Sequence, residues 1–149
     1  MKINIRKAEK SDLKAVHHLV RALAIYEKAE AEFVATLSDY EQNWEKGVFE
    51  CIVAEVEEEI VGMTLYYLTY STWKGRMLYL EDFVVLENYR KLGIGQLLFD
   101  ATRADARAKG CALMKWQVLD WNTTALNFYD KNNAIIEKEW WNGKILLEK

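Results

Sequence analysis

The run Leu80-Glu81-Asp82-Phe83-Val84-Val85-Leu86-Glu87-Asn88-Tyr89-Arg90-Lys91-Leu92-Gly93-Ile94-Gly95-Gln96-Leu97-Leu98 decides the reading, because two periods meet in it. Up to Leu86 the chain reads as a strand, Arg76–Leu86, rich in β-branched and aromatic residues. From Ile94 the apolar positions move to helical spacing. Ile94, Leu97, Leu98, Ala101, Ala104 and Ala108 predict a helix from Ile94 to Lys109, with Gly110 just past its end. Between strand and helix, Tyr89 to Gly95 turns the chain. Its two glycines let backbone come close to a ligand, and the N–H groups opening the helix favour an anion. The loop is a phosphate cradle in principle. It has no Gly-Lys-Ser/Thr ending, so it is not a nucleotide P-loop. Leu98 stands where a dinucleotide fingerprint has its third glycine. A plain strand-to-helix turn fits the bare pattern equally well.

Upstream of this junction the patterns are mostly strands. Phe49–Val56 and Ile60–Tyr70 flank the charged turn Glu57-Glu58-Glu59, and Ser71–Gly75 turns the chain into Arg76–Leu86. Connections this short imply antiparallel neighbours. Ile3 and Ile5 alternate with polar residues in a short first strand. Ser11 suits an N-cap for a helix from Asp12 to Tyr26, and Ser38 with Glu41 suits a capping box for a helix over Asp39–Lys46. Downstream, Ala112–Leu119 reads as a strand and Asn122–Lys131 as a helix; Ile135–Glu139 and Lys144–Leu147 read as strands. The predicted order is β-α-α-β-β-β-α-β-α-β-β. This is one α+β domain over residues 1–149: a mixed, mostly antiparallel sheet, with a β-α-β crossover that lets the strands around Val85 and Ala112 run parallel.

Composition narrows the class. The chain has 149 residues, 51% hydrophobic and 29% charged, which is the range of a globular domain. Its net charge of −3 argues against a nucleic-acid binder that relies on bulk positive charge. The uncharged run Ile60–Trp73 is shorter than the ~20 residues of a membrane helix. Cys51 and Cys111 form no metal-ligand pattern, and Met1–Glu9 has no apolar signal core, so a cytoplasmic protein without a metal is expected.

Three segments occur together in order: Leu80 to Val85, then Arg90-x-x-Gly93-x-Gly95, then Trp121-Asn122 with Asn127-Phe128-Tyr129. Taken together they resemble the GNAT acetyltransferases over nearly the whole chain. Leu23-Ala24-x-Tyr26-Glu27, Val53-Ala54-Glu55, Tyr66-Tyr67 and Tyr79 to Phe83 are similar to the diamine (spermidine/spermine) N-acetyltransferase group. Tyr70 to Arg76 and Val118 to Asn122 look most like its thialysine N-acetyltransferase branch. The polyamine branch usually carries an acidic residue where this chain has Ser71.

The resemblance implies the GNAT fold, acetyl-CoA as co-substrate, direct transfer in a ternary complex, and a homodimer. It implies that the backbone of Phe83, Val84 and Val85 runs beside the pantetheine arm, and that amides of Lys91, Leu92, Gly93, Ile94, Gly95 and Gln96 hold the pyrophosphate. Arg90 adds charge nearby. Asn122 anchors the pantetheine amides, or simply caps its helix. Tyr129 is the candidate general acid toward the CoA thiolate, and Glu81 the candidate base. Tyr26 and Glu27 bind the far end of the amine; Trp73 walls the amine site or pins the hairpin turn, and Ser71 with Thr72 offers hydroxyls to a substrate carboxylate. Glu30 and Glu32 extend an acidic loop that either steers cations or is simply solvated. As neighbours on a strand, Glu81 and Asp82 are expected to point to opposite faces. Trp140 and Trp141 are candidates for a subunit interface. The favoured acceptor is a primary amine of a small cationic metabolite: thialysine, lysine or a diamine. Two other readings stay open: a protein lysine or N-terminal amine as acceptor, and a CoA-binding module without catalysis.

Overall fold

The computed structural model describes residues 1–147. Its elements are β1 (Ile3–Lys7), α1 (Leu13–Tyr26), α2 (Leu37–Glu45), β2 (Glu50–Val56), β3 (Glu59–Ser71), β4 (Gly75–Val85), α3 (Ile94–Ala108), β5 (Leu113–Lys115) and α4 (Thr123–Lys131). The sheet order is β1-β2-β3-β4-β5; the first four strands are antiparallel and β5 joins β4 in parallel. The chain divides into two compact units, 1–117 and the part from Val118 onward.

In the first unit the sheet is covered on both faces. Cys51, Val53, Met63, Leu65 and Val84 pack with Val16 and Leu19 of α1, and Tyr40 and Trp44 of α2 close that cluster. On the other face lies α3. Here the contact is polar as well as apolar. Thr102 donates its hydroxyl to the Leu98 carbonyl at 2.8 Å, so in the buried 2.7 Å pair Thr64 must donate to Thr102. Buried Tyr66 donates to Asp105 at 2.5 Å, and Lys7 and Lys109 bind the same carboxylate at 2.6 and 2.7 Å. Burial alone would raise the Asp105 pKa, but these donors win and hold it at about 2. Gly62 sits beneath α3, where a Cβ would meet the Val84 carbonyl at 3.0 Å and Leu98 at 3.2 Å. A side chain there would force its neighbours to give by a few tenths of an ångström.

Several element boundaries differ from expectation. Helix α1 is entered through a 3₁₀ turn, Lys10–Asp12, and the residue that fixes it is Asp12 rather than Ser11. Asp12 accepts from the Glu9 N–H at 2.7 Å and from both Arg6 nitrogens at 2.8 and 3.1 Å. Helix α2 is capped by Thr36 with Asp39, two residues before the expected Ser38 with Glu41. Strand β5 covers only Leu113–Lys115 of the expected Ala112–Leu119, since β4 pairs with it only over Met77–Tyr79. The strands expected at Ile135–Glu139 and Lys144–Leu147 are irregular chain. Alternating sequence gives a segment strand capacity, but a strand exists only when another strand completes its ladder. Ile135, Ile145, Leu146 and Leu147 are each at least 85% exposed, whereas Ile136 is 38% exposed, so most of the apolar residues of that pattern stay uncovered.

Candidate active site

The feature that organises the first unit's site is a β-bulge in β4. Leu65 pairs with Asp82 and Tyr66 with Leu80, so Glu81 is an extra residue that faces no partner in β3. A bulge breaks the two-residue period of the strand and re-aims side chains. The expectation that Glu81 and Asp82 point to opposite faces is therefore overturned. The Tyr67 hydroxyl donates to Glu81 Oε1 at 2.7 Å, and Asp82 feels the charges of both Glu81 and Glu27. The two carboxylates sit on one side of the sheet, toward α1 and α2.

Around them lies a ring of acids and tyrosines. Burial, then Glu81 and Glu27, pushes the Asp82 carboxyl up to about 7. Burial also raises Glu27 at the end of α1. Tyr40 of α2 is driven up by burial and by the charges of Asp82 and Glu81. Tyr67 rises through burial and its bond to Glu81, and Tyr79 through burial and the Glu81 charge. The rings of Tyr67 and Tyr79 stack at 5.5 Å and 24°. Every shift has the same sense: burial first, and for all but Glu27 the neighbouring acids as well, make the cluster resist more negative charge. Sequence reasoning passed over Tyr40, Tyr67 and Tyr79 as functional groups. Tyr67 and Tyr79 share a cross-strand pair, but the bulge that draws Glu81 to them has no sequence signal.

This cluster has a measurable stability signature. A carboxyl whose folded pKa is raised binds its proton more tightly in the folded chain than in the unfolded one. Its contribution is fully present below the ordinary 3.8 and is lost as pH rises through about 7. The shift is worth up to about 4 kcal/mol; residual solvent contact brings this to roughly 2 kcal/mol. Asp82→Asn is expected to remove that loss. Urea unfolding at pH 5 and pH 8 checks it: an equal drop in both proteins would show that another group titrates.

A cleft of about 400 Å³ is lined by Leu23, Tyr26, Val84, Val85, Glu87 and Arg90 among others. The Arg90 guanidinium lies 5.1 Å from the centre of the Tyr26 ring and donates to the Val85 carbonyl at 3.0 Å. Tyr26, expected at the far end of the amine, is thus also in contact with the glycine loop. That loop opens α3 through two left-handed residues, Lys91 at φ 64° and Gly93 at φ 84°. Such a conformation suits glycine and strains lysine. A Cβ on Gly93 would touch nothing within 4 Å, so the turn is open in front of the helix N-terminus. Lys91, Leu92 and Gly93 are exposed, whereas the Ile94 side chain is fully buried and anchors the helix. Gln96 Nε2 donates to Asp100. Past Tyr79 the β4–β5 ladder stops, which leaves the stretch of β4 holding Phe83, Val84 and Val85 beyond β5. An open helix start beside a strand edge suits a phosphorylated, amide-bearing arm such as that of acetyl-CoA.

In the second unit, Asn122 caps α4 by accepting from the Ala125 N–H at 3.2 Å. Tyr129 is the buried residue of this helix, in edge contact with Phe128 at 5.7 Å.

Ser71 and Trp73 lie elsewhere. Ser71 ends β3, four residues beyond Tyr67 or about 13 Å along the strand, and its Oγ accepts from the Lys74 N–H at 3.1 Å. Trp73 is 83% exposed at the hairpin tip. Within one chain neither joins the acidic ring. Glu30 pairs with Arg21 on the surface at 3.5 Å, and Glu32 is exposed.

The sequence profile of the Acetyltransferase (GNAT) family matches residues 13–134. The chain belongs to the GNAT acetyltransferase family. GNAT enzymes are transferases that use acetyl-CoA, and the strand edge and open helix start described above fit that co-substrate. A thialysine N-epsilon-acetyltransferase of Mus musculus is 36% identical over 92% of this chain and 88% of its own length. The spermidine/spermine N(1)-acetyltransferase-like protein 1 of Homo sapiens is 32% identical over 88% of the chain, which matches 20% of that longer protein. An aminoglycoside acetyltransferase from a soil metagenomic sample, solved with trehalose, superposes with a TM-score of 0.82 over 98% of this chain and 97% of its own, at 22% identity. That likeness carries the GNAT fold alone.

Proposed function

We propose that this GNAT enzyme moves the acetyl group of acetyl-CoA directly onto a primary amine of a small cationic metabolite. A lysine-like amino acid such as thialysine, or a short diamine, fits best. The observation that carries the reading is the ring of Glu27, Glu81 and Asp82 with Tyr40, Tyr67 and Tyr79. It offers an ammonium group carboxylates for charge and aromatic walls for its alkyl chain. The names of the mouse and human relatives support the same acceptor class.

In this reading each residue has one task. Glu81 draws the proton from the incoming ammonium, directly or through water. Asp82 and Glu27 hold positive charge close by. Backbone of Phe83, Val84 and Val85 receives the donor's pantetheine arm, and the loop from Arg90 to Gln96 receives its pyrophosphate. Asn122 caps α4 and anchors pantetheine amides. Tyr129 returns a proton to the departing thiolate. Ser71 and Trp73, remote within one chain, take part in acceptor recognition only through a second copy or a bent hairpin. The reading includes a cytoplasmic homodimer. Support for a second chain comes from the exposed apolar residues after α4, including Trp140 at 65% and Trp141 at 93% exposure.

The test is steady-state acetylation of thialysine, lysine, putrescine, spermidine, spermine and a lysine-containing peptide. A small amine is expected to lead in kcat/KM by at least about tenfold. Preference for the peptide would move the acceptor to proteins. Tight acetyl-CoA binding with no turnover of any amine would leave a CoA-binding module.

A further inference from the structure

We propose that Tyr67 is the positioning residue for the Glu81 carboxylate, holding one of its oxygens so that the other is presented to the amine. The inference rests on the reading of Glu81 as the base. As the extra residue of the bulge, Glu81 has no cross-strand neighbour to set the direction of its side chain, and it is exposed to solvent. A carboxylate in that situation samples several rotamers, each frozen only at a cost in entropy. The contact that fixes it is the 2.7 Å hydrogen bond from the Tyr67 hydroxyl to Oε1. At this length it belongs to the short, charge-assisted class.

Tyr67 is well placed to act as a fixed support. It lies in the middle of β3, paired in register with Tyr79, and the two rings stack at 5.5 Å. The residue before it, Tyr66, is fully buried and tied to Asp105. Burial keeps the Tyr67 phenol protonated, and hence a donor, well above neutral pH. The support stands on the rigid sheet, while the group it supports stands on the irregular residue. Productive geometry at a catalytic group requires this kind of prior orientation.

Tyr67→Phe keeps the stacked ring and removes only the donor. It is expected to lower kcat about tenfold, with the acetyl-CoA Kd from calorimetry unchanged and the Tm lowered by only a few degrees. The distinguishing result is the pairing with Glu81→Gln. If Tyr67 acts through Glu81, the double variant is no slower than Glu81→Gln alone. Replacing Tyr67 by 3-fluorotyrosine, which retains ring and hydroxyl, is expected to keep kcat within about twofold; this comparison stands even if Tyr67→Phe is unstable. Loss of activity in Glu81→Gln with full activity in Tyr67→Phe would overturn the positioning role and leave the base in place. Multiplying losses in the double variant would overturn it too. Full activity in Glu81→Gln would overturn the base reading, and this inference with it.

Discussion

Glu81→Gln is expected to lower kcat by roughly 10²–10³-fold near neutral pH, the usual worth of a positioned general base. The acceptor makes this step costly. A primary ammonium has a pKa of about 10, so exposing its lone pair at pH 7 costs about 4 kcal/mol. Glutamine keeps the size of Glu81 and still accepts a hydrogen bond from Tyr67, but it takes no proton. Rate profiles separate base catalysis from a structural effect. Toward pH 10 the free amine loses its proton to solvent, and the deficit of the variant is expected to shrink. A deficit that stays constant across pH would assign Glu81 to substrate binding instead.

Tyr129→Phe is expected to cost about 10²-fold in kcat while acetyl-CoA affinity is held. The ring of Tyr129 is buried in α4, so phenylalanine preserves its packing. The chemical loss lies in the departing thiolate, which must then take its proton from water. An acetyl thioester of a more acidic thiol needs less help in leaving. With such a donor the gap between wild type and variant is expected to narrow. An equal gap with both donors would remove Tyr129 from the acid role.

Legibility in the sequence followed how local each feature is. Helix α3 and the turn before it were readable because apolar spacing and two glycines act within a few residues; Gly93 takes the left-handed conformation that this requires. The antiparallel β2-β3-β4 order followed from short turns, and the parallel β5 from the helix between it and β4. Those elements gave an α+β domain; the GNAT fold was expected from the resemblance of Leu80 to Val85, Arg90 to Gly95 and Trp121 to Tyr129. What failed depended on partners distant in sequence. The length of β5 is set by where β4 leaves it, which no residue in Ala112–Leu119 reveals. Ile135–Glu139 and Lys144–Leu147 have strand alternation but no strand beside them. The bulge at Glu81 mattered most. Strict alternation put Glu81 and Asp82 on opposite faces, whereas one extra residue sends both to the acidic ring and brings Tyr67 into reach. Thr36 illustrates the same point on a small scale: two capping patterns compete within six residues, and backbone geometry selects the earlier one.

The early end of the β4–β5 ladder has a consequence for the protein without ligand. Beyond Tyr79 the sheet presents a length of strand rim, the kind of surface onto which other chains add themselves. In the proposed reading the donor's amide-bearing arm lies along Phe83, Val84 and Val85, so a bound co-substrate and a stray strand would compete for the same stretch of β4.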